Sequence, residues 1–424
     1  MKQFIISITL TTLIFSCVPY SSGHYDGADL VEYGNKDYSS RIGNVNISIA
    51  NDRSGFLSNK ILLGSGQQLK LSFDLLDEDY TNLYLKIFHC DKYWEKSNLS
   101  DLEFLDDFNE INIRDYDFSQ TRFWQYVSYF VSIPATRISG NFIAVIYEEG
   151  QAKPLISRRF MVYENNVGIS ASIVLSTGAI KRLSHHGLEL ELSYAGLDVI
   201  DPNTQLYPIY LQNNNWQTAI YNLTPTAHRP DQRFIEYKPF NQENNFPGLN
   251  NFRFFDLRAT SYRGQNVARV STSDRGVEAI LQPETSRHGL SFGQQLMDDL
   301  NGKYYLQNND PNAKNINSEY VYVNFRLKTD SITSEVYVTG HFNDWQLNER
   351  NKLSYSSDER AYIGSLLLKQ GFYNYHYWVN QTELPHYYFE GSHFQSENDY
   401  EVLVYYRKPG TVYDRIVGYK SVRQ

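Results

Sequence analysis

Three small groups of residues carry side chains able to do chemistry, and their spacing decides what kind. The first is Cys17. Lys2 gives a short basic head, Phe4 to Phe15 form a mostly apolar stretch, and Ser16 puts a small residue before the cysteine. The stretch is too short to span a bilayer and is followed by polar chain, so it has the form of a removed export signal. Cleavage would make residues 1–16 a signal peptide and leave Cys17 as a new N-terminus carrying lipid on its thiol. The second group is His89-Cys90-Asp91. On a strand, His89 and Asp91 point to one face and Cys90 to the other, so the three build neither a compact metal cage nor a Cys-His dyad. A buried Cys90 is expected, with His89 and Asp91 hydrogen-bonded to hold the following turn and Trp94 acting as a core anchor. The third group, His185-His186, stands beside Gly187 at the start of an expected strand, where neighbouring side chains diverge. A surface loop is expected there in place of a metal site.

Most of the usual catalytic signatures are missing: there is no His-Glu-x-x-His, no phosphate-cradling glycine loop and no paired-cysteine metal spacing. Carboxylates are plentiful, but a glycosidase pair is defined by distance in space. The expectation is a protein without catalytic residues, metal or cofactor. A net charge of -9 argues against a nucleic-acid partner, which wants clustered cationic surface. With Cys17 assigned to lipid, Cys90 is the one remaining thiol, and no intrachain disulfide can form.

The elements that position these residues read as β. There are 35 Tyr and 24 Phe among 424 residues, and such side chains fit pleated, half-buried surfaces. Alternation recurs at Val45, Ile47 and Ile49; Leu83, Leu85 and Ile87; Ile111 and Ile113; Val321, Val323, Phe325 and Leu327; Val336 and Val338; and Tyr373, Tyr375 and Tyr377. Each run is bounded by turn-forming residues, and no amphipathic helical stretches intervene, which indicates an all-β chain of antiparallel sandwiches with little helix. The best helical stretch is Leu290 to Leu300. Residues 17–44, rich in Ser, Gly, Tyr and Asp, read as a flexible tether. A first domain then spans 45–165, a second 166–312 and a third 313–424, with breaks at Glu164-Asn165-Asn166 and in the Asn- and Asp-rich segment 308–317.

Five motifs in the first domain carry a resemblance. They are His89-Cys90-Asp91-Lys92-Tyr93-Trp94; Glu103-Phe104-Leu105-Asp106-Asp107-Phe108-Asn109-Glu110-Ile111 after Leu99; Phe118-Ser119-Gln120-Thr121; Ser139-Gly140-Asn141-Phe142 with Tyr147-Glu148; and Arg159-Phe160-Met161-Val162-Tyr163. In order and spacing they resemble the type 9 secretion system plug protein family. The resemblance implies a periplasmic β-domain protein that seals a very large outer-membrane β-barrel translocon, held by lipid on the periplasmic side of that membrane. By their own chemistry the motifs are structural: Phe104, Leu105 and Phe108 are expected to bury, Asp106-Asp107 and Asn109 to form a locally bonded turn, and Ser139-Gly140-Asn141 to turn into the next strand.

The last domain supports a competing reading. Val336 to Trp345, with Gly-His-Phe-Asn-Asp-Trp at its end, and Gly371 to Asn380 resemble the early-set immunoglobulin-like modules that bind glycogen and starch. Such modules stack sugar on two tryptophans, and Trp345 and Trp378 fall at comparable places; aromatic faces suit sugar C–H surfaces. The cationic position of those sites is His376 here. The alternative is therefore an outer-membrane-associated carbohydrate-binding lipoprotein. The favoured reading keeps the immunoglobulin-like fold without the sugar, packing Trp345 at a sheet end and setting Tyr375 and Tyr377 on one face.

Overall fold

Alternating apolar residues give each strand one face to bury, and the chain satisfies this demand with three β modules. The computed structural model describes residues 27–50, 58–293, 299–311, 313–380 and 383–424. In the first module one sheet runs in the order Lys36–Asp37, Pro154–Tyr163, Gly140–Glu148, Leu83–Cys90, Ile111–Asn112, with Lys60–Leu62 parallel to Pro154–Tyr163. The facing sheet runs Ile42–Ile49, Leu69–Leu75, Val127–Ser132, Asp115–Phe118. Leu83, Leu85 and Ile87 point between the sheets onto Leu71, Phe73, Phe142 and Phe160. Phe88 and Cys90 point the other way, into a second apolar layer.

That second layer is the junction with the middle module. It joins Phe88, Cys90, Trp94, Ile143, Val145 and Met161 of the first module to Ile209, Leu211, Leu403, Tyr405 and Ile416. The first sheet is thus covered on both faces, which is why Leu83–Cys90 and Gly140–Glu148 are almost continuously buried although antiparallel.

The middle module corrects the expected boundary at 312/313. One of its sheets holds Gly168–Leu175, His185–Ser193, Phe234–Tyr237 and Ala227–Arg229, with Asn245–Pro247 paired to His185–Ser193. The other runs Asn215–Ile220, Leu206–Gln212, Asp399–Tyr406, Arg415–Arg423. The last two strands of the chain therefore complete the middle module, Leu206 to Gln212 pairing residue for residue with Tyr406 to Tyr400. The alternating Tyr400, Val402, Val404 and Tyr406 supply the apolar face that Leu190, Leu192 and Tyr237 need. The third module is inserted between these parts. Its ten-stranded sheet follows the path Arg253–Asp256, Gly371–Val379, Val336–Thr339, Lys352–Ser356, Ala361–Lys369, Tyr320–Lys328, Gly276–Leu281, Val267–Ser273, with two short strands attached beside the path. It surrounds a core of Phe255, Val323, Phe325, Val338, Tyr373, Tyr375 and Tyr377, so Tyr375 and Tyr377 share one face as expected.

Two further expectations are corrected. The described part of the 17–44 tether is laid onto the first module: Lys36 and Asp37 pair with Ser157 and Ile156, and Ile42 starts a strand. Leu290 to Gly293, and Asp299 with Leu300, are not helical, and residues 294–298 between them lie outside the described residues. Among the described residues helix is confined to short turns such as Asp101–Phe104, where the Ser100 N–H donates to the Glu103 carboxylate at 2.7 Å. Among the described residues no helix is long and apolar enough to cross a membrane.

Candidate functional site

The first motif builds the junction between modules. Asp91 holds the turn after its strand, accepting the N–H groups of Tyr93 at 2.8 Å and Glu95 at 3.0 Å on one carboxylate oxygen. The turn places Trp94 in the left-handed region, φ 67°, and buries its ring edge-on against Trp216 of the middle module at 5.1 Å. The Arg159 guanidinium lies 4.3 Å over Trp94. Lys92 donates its N–H to Asp414, which also takes both arms of Arg407. Asn141 donates to the Asp91 carbonyl at 2.9 Å and accepts from Tyr405 at 2.8 Å. His89 lies beneath, its Nδ1 2.9 Å from Ser97 Oγ; a Cβ at Gly140, φ 151°, would stand 2.6 Å from His89 Nε2, so glycine is required there.

Burial pushes His89 down to about 4 and pushes the Cys90 thiol up, so at neutral pH the pair is an uncharged imidazole and an unreactive thiol. These residues hold modules together and have no activated nucleophile among them.

Ion pairs extend the junction around the first module. Asp74 meets Lys369 of the third module at 2.7 Å and accepts from Tyr320 at 2.6 Å and Ser128 at 2.5 Å, all four being buried. Arg158 pairs with Asp37 at 2.6 Å and with Asp344 at 3.1 Å. Burial works against the Arg158 charge, but Asp37 and Asp344 outweigh it and raise its pKa; burial holds Asp344 up at about 6 in spite of Arg158. Lys60 reaches Glu401 at 3.2 Å and Asn214 at 2.8 Å, and Arg415 grips Glu164 with both arms. Breaking a buried pair costs more than making it gains, so these contacts specify one arrangement of the modules.

The two candidate sugar-stacking rings are brought together, but inside. Trp345 is 3 % and Trp378 7 % exposed, in one cluster with Phe252, Tyr337 and Leu347. Trp378 is stacked on His386 at 4.2 Å; Trp345 meets Phe252 edge-on, and a Cβ at Gly302, φ 80°, would come within 2.6 Å of its indole. His376 stacks on Phe252 at 3.6 Å and is pushed by burial down to about 4. Both indoles are buried.

The remaining expectations divide. Phe104 and Leu105 are buried, but Phe108 is 76 % exposed. Asn109 is buried and bonds to both backbone groups of Ile87, so it completes a distant strand edge where a local turn was expected. His186 corrects the surface-loop reading: it is fully buried, 2.5 Å from the Tyr400 hydroxyl and 2.7 Å from the Phe394 carbonyl. No group of three metal-ligating side chains occurs among the described residues. Cys17 lies outside them.

One surface feature escaped the motif reading. The strand Asp115–Phe118 is the free edge of its sheet, and all four of its side chains are exposed. Tyr116 meets Tyr80 at 4.7 Å and Phe118 at 5.5 Å, a small aromatic row between Asp115 and Asp117. Alternation in Asp-Tyr-Asp-Phe puts Tyr116 and Phe118 on one face of the strand and Asp115 and Asp117 on the other.

Comparison with known proteins extends this picture. The crystal structure of a hypothetical protein from Parabacteroides merdae superposes with a TM-score of 0.87 at 27 % sequence identity, covering 93 % of this chain and 100 % of that one. The three-module arrangement, including the inserted third module, is therefore a fold shared over essentially the full length of another protein. No curated protein matches the chain. Residues 43–164, which contain the His89 to Trp94 turn, the buried Phe104-Leu105 pair and the free Asp115–Phe118 edge, match the family of the type 9 secretion system plug protein 1st domain.

Proposed function

We propose that this protein is a non-catalytic periplasmic plug, lipid-anchored through Cys17, that binds and occludes the outer-membrane translocon barrel of the type 9 secretion system. The match of residues 43–164 to the plug protein 1st domain carries this reading. Two physical features support it. A steric plug needs a body that does not deform under its partner, and the first module is tied to the other two by buried aromatic and ionic contacts. It also needs exposed anchors, and the row of Tyr80, Tyr116 and Phe118 offers aromatic side chains on an unpaired strand edge within that same module.

The test is affinity purification from native outer membranes, in which a very large β-barrel should copurify. Deletion of the protein should raise vancomycin sensitivity only while the barrel is present. A barrel-free eluate together with unchanged permeability in the deletion strain refutes the reading.

A further inference from the structure

The middle module ends in a tip that its own fold does not use. The loop joining Gly168–Leu175 to His185–Ser193 carries Ile180 at 96 % and Leu183 at 73 % exposure, and the neighbouring loop carries Phe240 at 87 %. The loops form one projection: Thr177 donates to the Phe240 carbonyl at 3.2 Å, and Gln242 packs against Gly178. The first loop is closed on itself, with the N–H of Lys181 on the Gly178 carbonyl and those of Ser184 and His185 on the Lys181 carbonyl. Three bulky apolar side chains are thus held out in water by an ordered scaffold.

Charge selects the partner. Lys181 and Arg182 stand exposed between Ile180 and Leu183, and residues 176–185 contain no acid, in a chain whose net charge is -9. The nearest acid of the second loop, Glu243, is hydrogen-bonded to Asn241. Apolar side chains projecting singly, with cations at their base, suit the boundary between acyl chains and anionic headgroups; a protein groove would require a continuous apolar ridge. We infer that the tip formed by Ile180, Leu183 and Phe240, with Lys181 and Arg182, is a membrane-contact site that inserts into an anionic bilayer surface. This rests in part on the proposed lipid anchor: nine residues separate Cys17 from Gly27, a reach of at most about 35 Å over the ten Cα steps, which keeps the body beside the bilayer. A second contact would then fix the orientation of the body on the membrane.

The chain from residue 18 onward lacks the signal and the lipid-bearing cysteine and retains every described residue. It should float with vesicles of phosphatidylethanolamine and phosphatidylglycerol and at least tenfold less with phosphatidylcholine alone. The double variant Ile180→Asp, Phe240→Asp should lose at least tenfold in partition with an unchanged melting temperature. Lys181→Glu with Arg182→Glu should remove the preference for the anionic vesicles. An Ile180→Trp variant should add a tryptophan emission component that shifts to the blue on vesicle addition. Absence of vesicle binding, or equal partition of the double variant, overturns the inference, as does a double variant that binds vesicles normally but no longer copurifies with the barrel. Because the vesicles contain no barrel, failure here leaves the occlusion reading standing, and failed copurification leaves this one standing.

Discussion

Lys369→Met is the sharpest probe of how the first module is held. The ammonium sits 2.7 Å from Asp74 and 4.1 Å over the Tyr126 ring, with the two charged side chains 8 % and 3 % exposed. Methionine keeps the length and packing of the side chain and deletes the charge. Asp74 then remains buried at the seam, stabilised by the Tyr320 and Ser128 hydroxyls but without a cation. Removing one partner of such a pair costs about 3–5 kcal/mol, chiefly as the uncompensated charge left behind. For a urea slope of roughly 2–3 kcal/mol per molar, the midpoint should fall by about 1–2.5 M. The double variant Asp74→Asn, Lys369→Met removes both charges while keeping an acceptor for one hydroxyl, and should recover at least half of the loss. Near-ultraviolet circular dichroism during urea titration reads both, since Tyr126 and Tyr320 flank the pair. A single variant within about 1 kcal/mol of wild type, or a double variant as unstable as the two single changes added together, would refute the reasoning.

Trp345→Ala and Trp378→Ala should each lower stability by about 3–5 kcal/mol, because both rings are buried, and should leave any glucan affinity unaltered; calorimetry and a glucan titration check the two halves. Burial raises Asp299 from 3.8 to about 6, so its contribution to stability is fully present below pH 4 and is lost as pH rises through 6, amounting to about 3 kcal/mol; Asp299→Asn should flatten that part of the stability profile in denaturant titrations from pH 4 to 7. Cys90 should resist thiol reagents in the folded protein and react on unfolding, as followed by mass spectrometry. Cys17→Ser should move the mature protein from the membrane to the soluble periplasmic fraction, and a wild-type protein found soluble without a lipid mass excludes the anchor.

Period-two alternation made the strands around Leu85, Val323, Val338 and Tyr375 legible, because an alternating apolar set recurs every second residue along each. The inserted third module was not legible. Asp399–Tyr406 is buried on both faces, and no local signal says that its partner is Leu206–Gln212 rather than a nearer strand. The turn chemistry of Asp91 and the burial of Cys90 followed from residue type and alternation. Phe108 and His186 did not, because whether one side chain is covered depends on elements distant in sequence: Tyr400 and Phe394 enclose His186 from more than 200 residues away. Trp345 and Trp378 had the spacing of a ligand platform, yet Phe252, His386 and Gly302 occupy the space that a ligand would need.

The pairing of Leu206–Gln212 with Asp399–Tyr406 also dictates an order of events in biogenesis. A chain that emerges N-terminus first presents the first module's strands early, and residues 253–379 can close their own sheet as they arrive. Residues 168–247 have no such option. Their sheet edge and the apolar face of Leu190, Leu192 and Tyr237 stay open until the last 26 residues are delivered. During that interval the chain exposes an apolar face open to association, and premature termination after Glu390 and before Asp399 would leave a body whose outer modules are folded around a middle that cannot be.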